Sequence, residues 1–220
     1  MPLLKKIKED LSWSGFVLHR EIKSKLQFIK RALVKPQLPK NPDNKVYIHL
    51  GCGDIASPEF INVDVHPAPH VHYVHDVTDL SIFPDGYADL VYACHLLEHI
   101  RHNKLKSTLW EWKRILKPGG VLRLSVPDLD KILHIYKSCS NDIACIIGPL
   151  MGSQLNKHGM HCSVFNYKYL HEKLTELGFK NIHQWDIAKA DHHNFQDWAS
   201  RKIAKNGKEF DVSLNLEAVK

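Results

Sequence analysis

The chain has 220 residues, 44% of them hydrophobic and 25% charged, with a formal net charge of +6, an ordinary balance for a soluble globular protein and enough material for one well-buried α/β domain. Five cysteines (Cys52, Cys94, Cys139, Cys145, Cys162) form no C-x-x-C pair and are odd in number, which argues against a disulfide framework and predicts a reducing, cytoplasmic setting. No apolar run reaches the roughly 18 residues of a membrane-spanning helix, and Lys5, Lys6, Lys8, Glu9 and Asp10 interrupt any signal-peptide core.

Residues 1–45 carry eleven of the lysines and arginines against four acids, so the excess positive charge sits in an N-terminal arm. Leu4, Ile7 and Leu11, then Leu18, Ile22, Leu26, Ile29 and Leu33, recur at helical spacing, broken near Ser12-Trp13-Ser14-Gly15. Pro36, Pro39 and Pro42 end that pattern, because each lacks an amide and fixes φ, and residues 1–44 are expected to be an amphipathic helical arm and linker ahead of a domain over 45–220. Such an arm suits peripheral contact with an anionic membrane, or packs its apolar face on the domain.

From Lys45 onward short strands alternate with helices. Strands are predicted near 46–50, 60–65, 71–75, 88–93 and 121–126, and helices near 95–116, 128–138, 142–151 and 167–177. That alternation predicts a doubly wound, mostly parallel sheet. Lys117-Pro118-Gly119-Gly120 reads as a helix stop and turn, and residues 181–187 and 211–218 alternate as an antiparallel C-terminal edge pair, giving seven strands in all.

The segment His49-Leu50-Gly51-Cys52-Gly53-Asp54 joins the first strand to a second that ends in Asp64. Glycines without a Cβ allow a sharp turn and expose bare amides, and a carboxylate closing the next strand can accept both hydroxyls of a ribose, so the pattern suggests a nucleoside-bearing cofactor. Only thirteen positions separate Gly51 from Asp64, with Ser57-Pro58 between them. A dinucleotide fingerprint wants roughly twenty and a full helix, which counts against a nicotinamide enzyme and predicts a first helix that is short or absent.

Taken together, HLGCGD, INVDV, HDVTDL, FPDGYADLVYACHLLEHI, LKPGGVLRLSVPD, LTELGF and VSLNLEAVK resemble the S-adenosylmethionine-dependent methyltransferases of the Rossmann-like class, in particular the bacterial type 11 group. The resemblance spans nearly all of residues 45–219. It implies S-adenosylmethionine as cofactor, with Gly51, Cys52 and Gly53 against its methionine part, Asp64 on the ribose diol, Asp76 and Val77 at the adenine, and His95 near the sulfonium. It also matches His161, with His158 nearby, to a histidine of a lid over the methyl acceptor, where it would serve as base or acceptor ligand. Methyl transfer needs alignment above all, and a base only when a hydroxyl must lose its proton.

The acceptor expected is a small-molecule or glycan hydroxyl. Nucleic-acid amino-methylating enzymes of this fold carry Asn/Asp-Pro-Pro-aromatic after strand four, where this chain has Tyr92-Ala93-Cys94-His95, so nucleic acid is disfavoured. Tyr92 is a further acceptor-site candidate or a buried strand residue. Two alternatives remain at this level: a non-catalytic binding protein acting through its basic arm, and a zinc hydrolase using His95-Leu96-Leu97-Glu98-His99, whose two histidines would share one face of a helix. No third ligand announces itself in the sequence, and the expectation is no metal.

Overall fold

The computed structural model describes residues 33, 36–155 and 158–220, and the arm helices expected over most of residues 1–35 lie outside the described residues. Four parallel strands come first: β1 (Tyr47–Leu50), β2 (Phe60–Asp64), β3 (Tyr73–Val74) and β4 (Ala88–Cys94). Helix α1 (Leu105–Ile115) returns the chain to β5 (Leu116–Pro127), which is followed by α2 (Leu129–Ser138), α3 (Ile147–Met151) and α4 (Tyr167–Glu176). The chain ends in β6 (Lys180–Gln184), β7 (Lys202–Lys205), β8 (Lys208–Asp211) and β9 (Ser213–Val219). The seven-stranded sheet has the order β3-β2-β1-β4-β5-β9-β6, parallel except where β9 pairs antiparallel with β5 and β6. This is the mixed α/β sheet expected from the sequence.

The strands form because their alternate residues are buried on both faces. Ile48, Leu50, Val63, Val91, Leu122 and Leu124 face α1 and α4, where Leu109, Trp112, Leu170 and Leu174 complete an aliphatic core. The opposite face carries Tyr47, Phe60, Leu90 and Tyr92, covered by Trp185, Phe195 and Ala199 from the connection after β6. Helix α1 packs because Leu105, Thr108, Leu109, Trp112 and Ile115 fall on one stripe. Trp112 Nε1 also donates to the Val77 carbonyl at 2.8 Å and so fixes the chain after β3.

Four local expectations are corrected. The predicted helix over 95–116 is helical as an α-helix only from Leu105; before it come two short 3₁₀ turns, Leu97–His99 and His102–Lys104. His95 has a positive φ of 48°, so His95 and His99 do not share a helix face, and the geometric premise of the zinc-hydrolase alternative fails. Lys117-Pro118-Gly119-Gly120 does not precede β5 but bulges within it, since Ala88 pairs with Leu116 and Leu90 with Val121. The helix predicted over 142–151 is a 3₁₀ turn at Ile143–Cys145 followed by the one-turn α3. Between β1 and β2 the chain makes turns and no helix, as the short spacing requires.

Candidate active site

In an open sheet the crevice opens where neighbouring strands send their connections to opposite sides, beyond the carboxyl ends of the strands. Here that point lies between β1 and β4, and a cavity of about 1030 Å³ sits there. The turn after β1 forms one wall. Gly51 and Gly53 have φ of +61° and +54°, the left-handed region open to residues without a Cβ. Gly51 also has the Leu96 side chain against it, at 2.6 Å from where a Cβ would stand, whereas nothing lies within 4 Å of a Cβ at Gly53. Cys52 packs in a small buried cluster with Ala68 and Val71, where burial pushes its thiol pKa up.

Asp64 closes β2 beside this turn and is 7% exposed. Its Oδ2 accepts from the Gly53 amide at 2.8 Å and its Oδ1 from the His66 amide at 2.7 Å. A carboxylate has about four lone-pair sites, so two remain for a ligand's hydroxyls. Asp76 lies beyond β3, where its Oδ1 accepts from both the Thr78 amide and hydroxyl at 2.9 Å. It thus closes a local turn while lining the cavity together with Val77.

The far end of the cavity is made of histidines around one acid. The Glu98 carbonyl accepts from the amides of Cys162 and Ser163 at 2.7 and 3.0 Å, and Ser163 Oγ donates to the Ile100 carbonyl at 2.8 Å. These bonds stitch the loop before α4 onto the segment after β4. His161 therefore arrives with its Nε2 4.0 Å from Glu98 Oε1, and the His99 ring lies 4.9 Å from the His161 ring. His95 Nδ1 stands 3.3 Å from the same Oε1.

Glu98 is 1% exposed, and neither carboxylate oxygen has a hydrogen-bond partner among the described residues. Burial pushes its pKa up to about 8 and pushes the imidazoles of His95 and His161 down to about 3 and about 4. His158 lies at the same end, edge-on to His66 with ring centres 5.2 Å apart. Trp198 and Arg201, in the connection before β7, close the outer wall, and Arg201 sits 4.6 Å above the Trp198 ring.

Gly51, Cys52, Gly53, Asp64, Asp76, Val77, His95, His158 and His161 thus border one cavity. Tyr92 does not. It is 1% exposed on the opposite face of the sheet, and its hydroxyl is bonded to Asp197. In the sequence Glu98 and His99 carry a functional reading only within the H-L-L-E-H zinc-hydrolase alternative, not as part of the acceptor end. Their signal was the acid–histidine pair at the end of H-L-L-E-H, but the partner that gives it meaning, His161, is remote in sequence.

A methyltransferase-domain family model matches residues 18–184. A solved S-adenosylmethionine-dependent methyltransferase from Methanosarcina mazei is similar at a TM-score of 0.52 and 15% identity, over 84% of this chain and 94% of that one. The Burkholderia thailandensis 1,6-didemethyltoxoflavin N1-methyltransferase, solved with 1,6-didemethyltoxoflavin and S-adenosylhomocysteine bound, is similar at 0.50 and 15% identity, over 80% of this chain and 71% of that one. No curated protein matches the chain.

Proposed function

The chain belongs to the methyltransferase-domain family, in the Rossmann-like, S-adenosylmethionine-dependent class, and from that premise we propose that it methylates a hydroxyl of a small molecule or glycan. The observation that carries the donor half is Asp64, held by two loop amides against the Gly51–Gly53 turn with lone pairs to spare. In this reading the ribose hydroxyls take those lone pairs. The methionine part lies along Gly51, Cys52 and Gly53, the adenine reaches Asp76 and Val77, and the sulfonium points toward His95.

The acceptor occupies the histidine end, with His161 and His158 handling it. Burial keeps His161 uncharged near neutral pH, and an uncharged imidazole can take the proton that a hydroxyl must lose. The reaction moves the methyl carbon from sulfur to oxygen. The carbon–sulfur bond breaks to leave a neutral thioether, and the hydroxyl proton leaves through a histidine to water. Most of the acceleration comes from alignment of donor and acceptor in the cavity.

Two hydroxyl-to-carboxylate bonds contribute on the order of 1.5–3 kcal/mol each. Calorimetry with S-adenosylhomocysteine is therefore expected to show binding that Asp64→Ala weakens by at least about 100-fold. Equal affinity in the variant would refute the assignment. The basic arm supports a second element of the proposal, peripheral contact of residues 1–44 with an anionic membrane that presents the acceptor. Among the described residues no helix is long and apolar enough to cross a membrane.

A further inference from the structure

At the histidine end of the cavity the hydrogen-bond acceptors outnumber the fixed donors, and either a proton on Glu98 or a bound cation completes the set. Ser213 Oγ donates to the Trp198 carbonyl at 2.7 Å, which can only accept, so the single hydroxyl proton is spent there. His95 Nε2, 2.7 Å from the same oxygen, must then be the donor of that bond, and the neutral His95 ring is left with a bare lone pair on Nδ1. That lone pair stands 3.3 Å from Glu98 Oε1, an acceptor facing an acceptor whenever Glu98 is ionised. His99 repeats the pattern: its Nδ1 donates to the Met160 carbonyl at 2.9 Å, which leaves the lone pair on Nε2. The carbonyls of Leu150 and Pro149 bear on the His161 ring, whose Nε2 lies 4.0 Å from Glu98 Oε1.

The ligand atoms of Glu98, His99 and His161 all lie within 4.8 Å of one another. Glu98 has no hydrogen bond on either oxygen, and it is aimed into the cavity from a fully buried position. An unpaired buried carboxylate is costly, and a neighbouring cation removes that cost.

We propose that Glu98, His99 and His161 bind a divalent first-row transition cation at the acceptor end of the cavity, with His95 beside Glu98. Imidazoles that spend their second nitrogen on a backbone carbonyl are the usual form of metal-bound histidine, since that bond fixes the tautomer and the ring. Two imidazoles and one carboxylate with an open position form the donor set of catalytic zinc and of related iron and manganese sites. Magnesium and calcium, which prefer oxygen ligands, fit it poorly. Metal–nitrogen bonds of about 2.0–2.1 Å bring neighbouring ligand atoms closer than 4.8 Å, a distance that side-chain rotation covers.

The role of the cation rests on the methyltransferase reading. The acceptor oxygen would take the open position, where the cation lowers the pKa of its hydroxyl. His158 takes the released proton, the oxygen attacks the methyl carbon, and the carbon–sulfur bond breaks. His161, engaged by the cation, then positions the acceptor instead of serving as the base.

Full-length protein without a histidine tag, stripped with a chelator and titrated with cobalt(II), is the test. One equivalent per chain with visible ligand-field absorption is expected, displaced by zinc. His99→Gln and His161→Gln should each weaken cobalt binding by at least the roughly 10–100-fold that loss of a mere supporting contact costs, while S-adenosylhomocysteine affinity, measured in parallel, stays within twofold. These two positions are less buried than Glu98, so the test stands even where Glu98→Gln fails to fold. Absence of stoichiometric cobalt binding, or binding indifferent to both histidine variants, overturns the site. Cobalt binding in a protein that ignores S-adenosylhomocysteine would instead leave the site standing and remove its methyltransferase role.

Discussion

The rim of the cavity and the covered face behind the sheet are built from the same residue types and use them in opposite ways. Asp197, which joins the covered face to the cavity it also lines, has its bonds closed: it takes the Tyr92 hydroxyl and the Ala199 amide, and His193 Nε2 stands 3.7 Å away. At the rim, Asp64 keeps half its lone pairs and Glu98 keeps all of its own. Polar groups whose bonds are closed internally hold the fold, while those left open at a strand's carboxyl end wait for a guest. The contrast gives each acid a different expected phenotype.

The largest expected difference is between affinity and stability at Asp64. Asp64→Ala should cost at least about 100-fold in S-adenosylhomocysteine binding, whereas in folding it removes two local carboxylate caps on backbone amides, of which each is worth about 1 kcal/mol by analogy with a helix cap. A loss of stability equal to the loss of binding free energy would erase the distinction between the two regions.

His49, packed into the aromatic cluster of the covered face and also part of the cavity lining, tests the contrast through pH. It sits among Tyr92, Phe60 and Phe195, and burial, reinforced by His193 and His70, pushes its pKa from 6.5 down to about 3. The unfolded chain takes up a proton below about pH 6.5 that the folded chain refuses until about pH 3. Stability from this group is thus complete above pH 6.5 and falls as the pH drops through that window, by a few kcal/mol over its width. Urea unfolding of His49→Leu at pH 7 and pH 4.5 should show a smaller acid loss than the parent; parallel losses would mean that the histidine is solvated. His95 and His161, also held uncharged by burial, keep part of the acid sensitivity in the variant.

How much of this was legible in the sequence depends on the range of the interactions. The strands of the parallel half could be read because aliphatic runs bounded by Gly and Asp have few other stable uses. The turn at Gly51–Gly53 and the acid at Asp64 were legible because their roles depend on local geometry. The segment after β4 was misread because Leu96, Leu97, Ile100 and Leu105 suit a helical period, while the positive φ of His95 and the docking of Cys162 and Ser163 on Glu98 break the helix into short turns. The hairpin β7–β8 did carry a local signal: Asn206-Gly207, with φ of 50° and 75°, is a favoured tight turn. It was masked by the polarity of its flanks. The pair Glu98–His99 had a local signal in H-L-L-E-H, but its meeting with His161 had none, since that joins segments 62 positions apart.

Tyr92→Phe sharpens the comparison from the other side. It leaves Asp197 buried with one fewer donor, a loss of about 1.5–3 kcal/mol in unfolding free energy. Because Tyr92 does not border the cavity, S-adenosylhomocysteine affinity should not change. A fall in affinity larger than the fall in stability would mean that Tyr92 acts on the donor site.

The smallest expected effects separate the two glycines of the turn. Both stand at positive φ, so an added Cβ costs about 1–2 kcal/mol at either position. Only Gly51→Ala meets a neighbour, the Leu96 side chain, and it should therefore lose more stability than Gly53→Ala. That excess should vanish against a Leu96→Ala background, measured as a double-mutant cycle in thermal unfolding. Gly53 faces open space in the cavity instead, where the proposed ligand lies, so Gly53→Ala should lose more affinity than stability. The order of the two variants would then reverse between the unfolding and the binding measurement, and a common order in both would mean that the turn serves the fold alone.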